Sequence, residues 1–524
     1  MSRNSRSPTL RSTSSDKTAC FKGFRDTYSG GSGRYFLMVL PEPSKEEIDL
    51  ARDPALLYRI KLDLDKRLAG EDKNKLTIVV EGATAFSNDP QGGILTGSSS
   101  AGKSTVMNQA LAYYKKLGIV REFTRITAAA PDRAQENMRN KILFVQELKG
   151  IEAAQAKIRV WISEGNLYLW TAEFDKEEKK FKDKTFVTTG IPCFFTTTTS
   201  VEPDPELLNR LQILSIDETI KQTDAVLDFK AEDFSGFLPS TERKPDEKII
   251  KMFEEKFNAN AVRAERVVIP FARDLKSLFV HRKVEVRRDY SKLCRLIWAV
   301  AFLHQYQRPI ATPRSEEEKY AETKLLKRFV VALPADLFMA WSIADESMRQ
   351  TLLGLQARTI TVLGCFKGKE TVTAKEVSET IDVSQEHARV SLRALENRGY
   401  VTCDESTKPF RYSLRRTIEE FEINQLLDLG NLSARFDESG LKSWMESKNA
   451  DVVFEGMQNL PLNPFEAFVD PITGKIWGIS PKTTYEKHAL LTKKELSSQK
   501  RAESSPASET GNLSRFSGEK EAAE

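Results

Sequence analysis

Gly97-Ser98-Ser99-Ser100-Ala101-Gly102-Lys103-Ser104 is the stretch on which the reading of this chain turns. It matches the pattern Gly, four residues, then Gly-Lys-Ser/Thr, and it lies between the apolar run Gly93-Ile94-Leu95-Thr96 and a helical pattern starting at Ser104 or Thr105. Strand, glycine-rich loop and helix in that order form a phosphate-binding loop. Successive backbone N–H groups from Gly97 to Gly102 converge on phosphate oxygens, and the following helix presents its positive end to them. Lys103 is expected to reach the β- and γ-phosphates and Ser104, at the helix start with Thr105, to ligate Mg²⁺. The implied ligands are ATP and Mg²⁺.

Working outward, 524 residues are several times the roughly 150 of a single domain, so two to four domains are expected. Charged residues at 29% and hydrophobic ones at 40% give a globular balance, and no apolar run approaches the ~20 residues that span a bilayer. A membrane role is therefore not expected. Lys plus Arg at 79 against Asp plus Glu at 75 leaves +4, too little for a chain that coats nucleic acid with its whole surface, so any such site must be local. Cys20, Cys193, Cys294, Cys365 and Cys403 are scattered, with no zinc-ligand spacing. The basic, Ser-rich start lacks an apolar segment behind it, which points to a cytoplasmic, nucleoid-associated protein rather than a secreted one.

The organisation divides as follows. Residues 1–45 read as a disordered arm, 46–245 as an α/β core with a largely parallel sheet, and 246–345 as an all-helical unit. Residues 417–524 read as a mixed linker and disordered tail. Within the core, Leu76–Phe86, Gly93–Thr96, Ile142–Val145 and Cys193–Thr199 are strand candidates.

A phosphate loop needs a second strand to deliver a carboxylate. Ile142-Leu143-Phe144-Val145 ends in Gln146-Glu147, and catalytic groups in parallel sheets sit just past such strand ends. Glu147 is the candidate base for an attacking water. Gln146 stands where an aspartate would help to hold Mg²⁺, and it brings no charge.

Asn166–Phe174 alternates and Lys182–Gly190 offers a return strand, so 166–190 reads as a β-hairpin. Its tip carries Lys176, Lys179, Lys180, Lys182 and Lys184 among Asp175, Glu177, Glu178 and Asp183. Two readings stand: lysines that contact phosphates of DNA, or a solvated turn with balanced charge. Further on, Thr196 to Thr199 close an apolar strand, where hydroxyls can sense a γ-phosphate or orient water. Arg210 follows in a short helix. It is either a surface ion pair or an arginine that reaches a neighbouring subunit's γ-phosphate.

The order of these motifs resembles an AAA+ ATPase of the minichromosome maintenance (MCM) helicase clade. Gly97–Thr105 resembles its Walker A motif, Leu143–Glu147 its Walker B, the hairpin its pre-sensor-1 element, and Phe194–Thr199 its sensor 1 strand. Pro205–Leu211 resembles the arginine-finger segment and Val286–His304 the sensor 2 helix, with Arg288 seven residues before Arg295. The resemblance implies Thr196 in sensor 1, Arg210 as a trans-acting finger and Arg288 as sensor 2. It implies a homo-hexameric ring around single-stranded DNA and a helical lid over 246–345.

Residues 346–416 follow the pattern of a winged helix-turn-helix, a domain that also closes archaeal MCM chains. The first helix is expected at Thr373–Glu379, the turn at Asp382-Val383-Ser384 and the recognition helix at Ser384–Asn397. Val390, Leu392 and Leu395 suit its inner face, leaving Arg389, Arg393 and Arg398 for duplex DNA. The large N-terminal region and zinc site of the clade have no counterpart in 1–45. The sequence thus points to a DNA helicase or translocase in replication, with an ATP-gated DNA-binding scaffold as the alternative. Gln146 favours the latter.

Overall fold

The computed structural model describes residues 50–148, 152–175, 180–199, 204–236, 243–257, 266–276, 286–314, 328–353, 355, 357–366, 368–381, 383–415, 432, 435–454, 457–458 and 460–479. The expected arm at 1–45, Lys176 and Lys179, Asp382 and the end of the chain lie outside these residues. Among the described residues no helix is long and apolar enough to cross a membrane.

Two helices, α1 (Leu56–Asp65) and α2 (Asp72–Ala83), precede the glycine-rich loop at 97–104. The strand expected at Leu76–Phe86 is instead most of α2 and a 3₁₀ turn at Thr84–Phe86. Every residue from Lys75 to Ala83 is buried. A helix enclosed on all sides has no polar stripe, so its apolar run with Ile78, Val79 and Val80 reads like a buried strand.

The core then alternates. It runs β1 (Gly93–Thr96), α3 (Lys103–Ala110), β2 (Val120–Phe123), β3 (Ile142–Val145) and α4 (Glu152–Glu164). It continues through a hairpin of β4 (Asn166–Asp175) and β5 (Lys180–Thr189), then β6 (Cys193–Thr198), α5 (Pro205–Leu208), β7 (Gln212–Ser215) and α6 (Ile220–Ser235). One sheet has the order β2-β3-β6-β1-β7, every pairing parallel. β1, β3 and β6 are buried along their whole length, which explains why they read as unbroken apolar runs rather than alternating ones.

The next region holds α7 (Glu247–Phe257), β8 (Arg266–Val268), α8 (Val286–Leu303), β9 (Ile310–Pro313), β10 (Phe329–Val331) and α9 (Pro334–Leu353). It is not all-helical. Strands of three or four residues are too short to display alternation, and their sheet is completed only by a strand far along the chain. Arg308 and Asp336, both fully buried, form a bidentate pair at 2.7 and 2.9 Å that fixes the start of α9.

A separate apolar core, with Val362, Phe366, Val377, Leu392, Leu395 and Tyr412, gathers α10 (Ala357–Gly364), β11 (Thr371–Thr373), α11 (Ala374–Ile381), α12 (Gln385–Asn397), β12 (Val401–Asp404) and β13 (Arg411–Leu414). The strands are antiparallel in the order β11-β13-β12. Thr373 caps α11: its Oγ1 accepts from Glu376 N at 3.2 Å while the Glu376 carboxylate accepts from Thr373 N at 2.7 Å. Ser384 caps α12 by accepting from His387 N. The buried face of α12 is Ala388, Ser391, Leu392, Ala394 and Leu395, so Val390, expected inside, falls off that helical stripe and is 37% exposed.

The chain then returns to the main body. α13 (Glu438–Ser447) leads into β14 (Ala450–Val453), which pairs antiparallel with β9 and gives the sheet order β14-β9-β10-β8. β15 (Ala467–Val469) and β16 (Ile476–Gly478) form a small hairpin, and Phe468 stacks on Phe338 of α9 at 5.3 Å. Leu432, Phe436 and Phe468 belong to the main core. Much of the stretch expected as linker is therefore packed structure whose partners lie more than a hundred residues earlier.

Candidate nucleotide site and basic elements

Thr96 ends β1 with its Oγ1 donating to Leu214 O at 3.0 Å, and the loop departs from there. Ser100 and Gly102 adopt positive φ of 66° and 81°. A side chain at Gly102 would meet nothing within 4 Å, so glycine is demanded by backbone angle rather than by crowding. Lys103 is 8% exposed and its ammonium donates to Gly97 O at 3.2 Å and Ser98 O at 2.6 Å, curling the loop about its own cation. Ser98, Ser99, Ser100, Ser104 and Thr105 are exposed, and Ala101 is half-buried. A loop of this shape, open above Gly102 and backed by the start of α3, fits a phosphate chain. Among the described residues there is no group of three His, Cys, Asp or Glu that could hold a metal, so a Mg²⁺ here would depend on Ser104 and on phosphate oxygens.

Sequence reasoning missed one contact. Ser98 N–H donates to Glu218 Oε1 at 2.6 Å, bringing a carboxylate from beyond β7 onto the loop. The rule that singled out Glu147, an acid just past a buried strand, applies equally to Glu218 after Gln212–Ser215.

Parallel pairing sets Val145, Thr196 and Ile94 side by side, and Thr198 beside Thr96. Leu148 N then donates to Thr197 O at 2.9 Å, which carries half-buried Glu147 to the level of the strand ends, on the same edge as the loop. Gln146 turns the other way: its Nε2 donates to Glu122 Oε1 at 2.8 Å on β2, while its carbonyl accepts from Thr197 Oγ1. Thr196 lies mid-strand, fully buried, with its hydroxyl lacking a hydrogen-bond partner, whereas Thr198 is the one level with Thr96 at the loop edge.

Arg210 lies at the opposite end of the sheet. Gln212 pairs with Gly93 where the strands begin, and Gln91 Nε2 donates to Arg210 O at 3.3 Å. Four residues of β1, about 13 Å at ~3.3 Å each, separate that edge from the loop. Arg210 donates to Ser163 Oγ at 2.8 Å and Glu206 O at 2.7 Å, and it shares a cavity of about 240 Å³ with Asn209, Arg288, Arg295 and Asp89. Burial and then the nearby Arg288 guanidinium pull Arg210 below the ordinary arginine value, with Glu206 opposing. Arg295 is held by Asp89 and by Gln91 Oε1 at 2.9 Å. Lys292, buried on the same helix between Arg288 and Arg295, has its ammonium 3.4 Å from Leu208 O and 3.5 Å from Asp289, and burial lowers it to about 8. The two arginines that the sequence singled out are thus brought together, and both are kept away from this chain's own loop.

The hairpin register pairs Asp175 with Lys180, Glu173 with Lys182 and Thr171 with Lys184. Because side chains alternate, those lysines share one face, and Lys184 lies over Phe186 at 4.7 Å. The other face carries Tyr168, Trp170 and Phe181, each at least 70% exposed. On α12, Arg389 and Arg393 are exposed, and Arg389 is 3.5 Å from Glu386.

No protein-family model matches the chain, and neither does any curated protein. Among solved structures it is similar to a full-length MCM homolog from Methanopyrus kandleri, with 12% identity and a TM-score of 0.35 over 60% of this chain and 64% of that one. The match spans less than two thirds of that protein's length.

Proposed function

We propose that this chain is an ATP-hydrolysing, MCM-like AAA+ motor whose nucleotide sites are shared between neighbouring copies, acting on DNA as a helicase or translocase. The observation that carries the reading is the separation on one parallel sheet: a GxxxxGK[ST] loop and Glu147 at the strand ends, Arg210 and Arg288 at the strand beginnings. One copy alone has the loop without the arginines; two copies head to tail, repeated into a homo-hexamer, supply both.

In this mechanism the amides of the loop and the Lys103 ammonium hold the β- and γ-phosphates of ATP. Ser104 would hold Mg²⁺, which would neutralise phosphate charge; Gln146, expected beside the metal from its place next to Glu147, keeps its amide on Glu122. Glu147 accepts the proton of a water whose oxygen attacks the γ-phosphorus as the bond to the ADP oxygen breaks. Thr196 was the sensor expected from sequence; Thr198, on the same strand and level with Thr96, is the better placed hydroxyl to orient that water. Arg210 and Arg288 of the neighbour stabilise charge on the transferred phosphate. Lys180 and Lys182 of the hairpin, with Lys179 beside them in sequence, contact DNA phosphates. The 357–415 unit serves as a winged helix presenting Arg389 and Arg393 to duplex DNA.

The test is ATP turnover with and without single-stranded DNA. Lys103→Ala and Glu147→Gln should each lower turnover by roughly a hundredfold or more, and Arg210→Ala should do so with its own loop intact. Unchanged DNA-stimulated turnover in Lys103→Ala would remove the reading.

A second reading rests on Gln146, whose amide is committed to Glu122 and brings no carboxylate to a metal. In it ATP orders a DNA-bound scaffold without unwinding. A forked substrate separates the two: the motor displaces a strand with ATP, while the scaffold binds under ATP and leaves the fork closed.

A further inference from the structure

α6 has sixteen residues and none is buried, although Ile220, Leu227 and Phe234 lie along it. They recur every seven residues and are 76%, 58% and 92% exposed. At 100° per residue they form one stripe, about 21 Å long at ~1.5 Å per residue. The opposite side of the helix holds the body: Gln222 Nε2 donates to Ala69 O at 3.0 Å, and Arg243 joins Asp233 to Lys66 O at 3.3 and 2.8 Å. That inward side also carries the half-buried Val226 and Phe229, with the Arg243 guanidinium 5.7 Å from the Phe229 ring, so α6 already has an apolar contribution to its anchored face and leaves a second apolar stripe in water.

Its position identifies the occupant. Thr219 caps α6 and Glu218, the residue before it, bonds the phosphate loop at Ser98. The stripe therefore begins beside the loop, at the strand-end edge of the sheet. Arg210 and Arg288 sit at the other edge and cannot complete their own chain's site. A copy that brings them to this loop must lie against this edge. The few charges flanking the stripe, Asp224 and Lys230, are mixed in sign, which suits an apolar protein surface rather than a phosphate backbone.

We infer that the Ile220–Leu227–Phe234 stripe of α6 is the docking surface for a second copy of this chain, seated head to tail so that its arginine edge meets the phosphate loop. The inference rests on the shared nucleotide site proposed above.

The test uses the full chain and three variants: Leu227→Glu/Phe234→Glu, Arg210→Ala and Lys103→Ala. Exposed positions on a solvent face should leave the thermal melt of the double variant unchanged. In sedimentation velocity with a non-hydrolysable ATP analogue, the double variant should associate roughly tenfold more weakly than wild type, with turnover falling in step. Mixing the double variant with Arg210→Ala, each of low turnover alone, should raise turnover above the sum of the two, because the intact α6 and loop of one meet the intact arginine of the other. The inference is overturned if the double variant assembles and turns over as wild type does. It is equally overturned if that mixture shows no such gain while Lys103→Ala mixed with Arg210→Ala does. If neither mixture gains turnover, the shared site itself falls, and this surface with it.

Discussion

Glu71 begins α2 from the left-handed region, with φ of 55°, and is 8% exposed. Its carboxylate accepts from Asp217 N at 2.9 Å and Asn74 Nδ2 at 2.6 Å, so it fastens the segment that carries Glu218 to the phosphate loop. Burial pushes this carboxyl up from 4.5 to about 7, against the two hydrogen bonds, with Asp217 and Glu346 adding to the rise. A raised acid takes up a proton on folding between those two values. Its contribution is therefore complete below pH 4.5 and is lost as pH climbs through 7, worth up to about 3 kcal/mol. Urea titrations at pH 5 and pH 8 should show wild type weaker at the higher pH and Glu71→Gln with much less of that difference. An equal drop in both would assign the slope to another group.

At the scale of elements, the β4–β5 hairpin separates two kinds of aromatic residue. Phe186 is 6% exposed and belongs to the base of the ribbon, whereas Trp170 is 73% exposed. Phe186→Ala should cost about 3 kcal/mol or more and Trp170→Ala less than about 0.5 kcal/mol in denaturant unfolding. Comparable losses would mean the outer face is covered in solution. The hairpin was legible in the sequence because its alternation is local, as were β1, β3 and β6, whose full burial leaves uninterrupted apolar runs. α2 was misread for the same reason: complete burial erases the period that separates helix from strand. The joining of Arg210 with Arg288 could not be read from periodicity at all: Arg210 stood as one of two open readings, and only resemblance singled out Arg288. Their common cavity is built by contacts such as Arg295 with Asp89, which lie 206 positions apart.

On the scale of the whole molecule, the segment after the 357–415 unit matters to the body that precedes it. β14 extends the β9–β10–β8 sheet, and Phe468 is 3% exposed against Phe338. Phe468→Ala should lower global stability by about 3–5 kcal/mol in urea unfolding, although its partner Phe338 lies 130 positions earlier. A variant whose unfolding midpoint is unchanged would show that this segment is an independent appendage. The long-range pairing carries no local signature, since Ala450–Val453 becomes a strand only because Ile310–Pro313 offers it an edge.

Because the chain leaves the body after α9 and rejoins it before α13, the 357–415 unit is leashed at both of its ends. A module on a single leash can swivel freely about its attachment; one on two leashes loses most of that rotation and keeps a limited orbit. Two attachments therefore leave the unit fewer orientations to lose than one would when it is held in place.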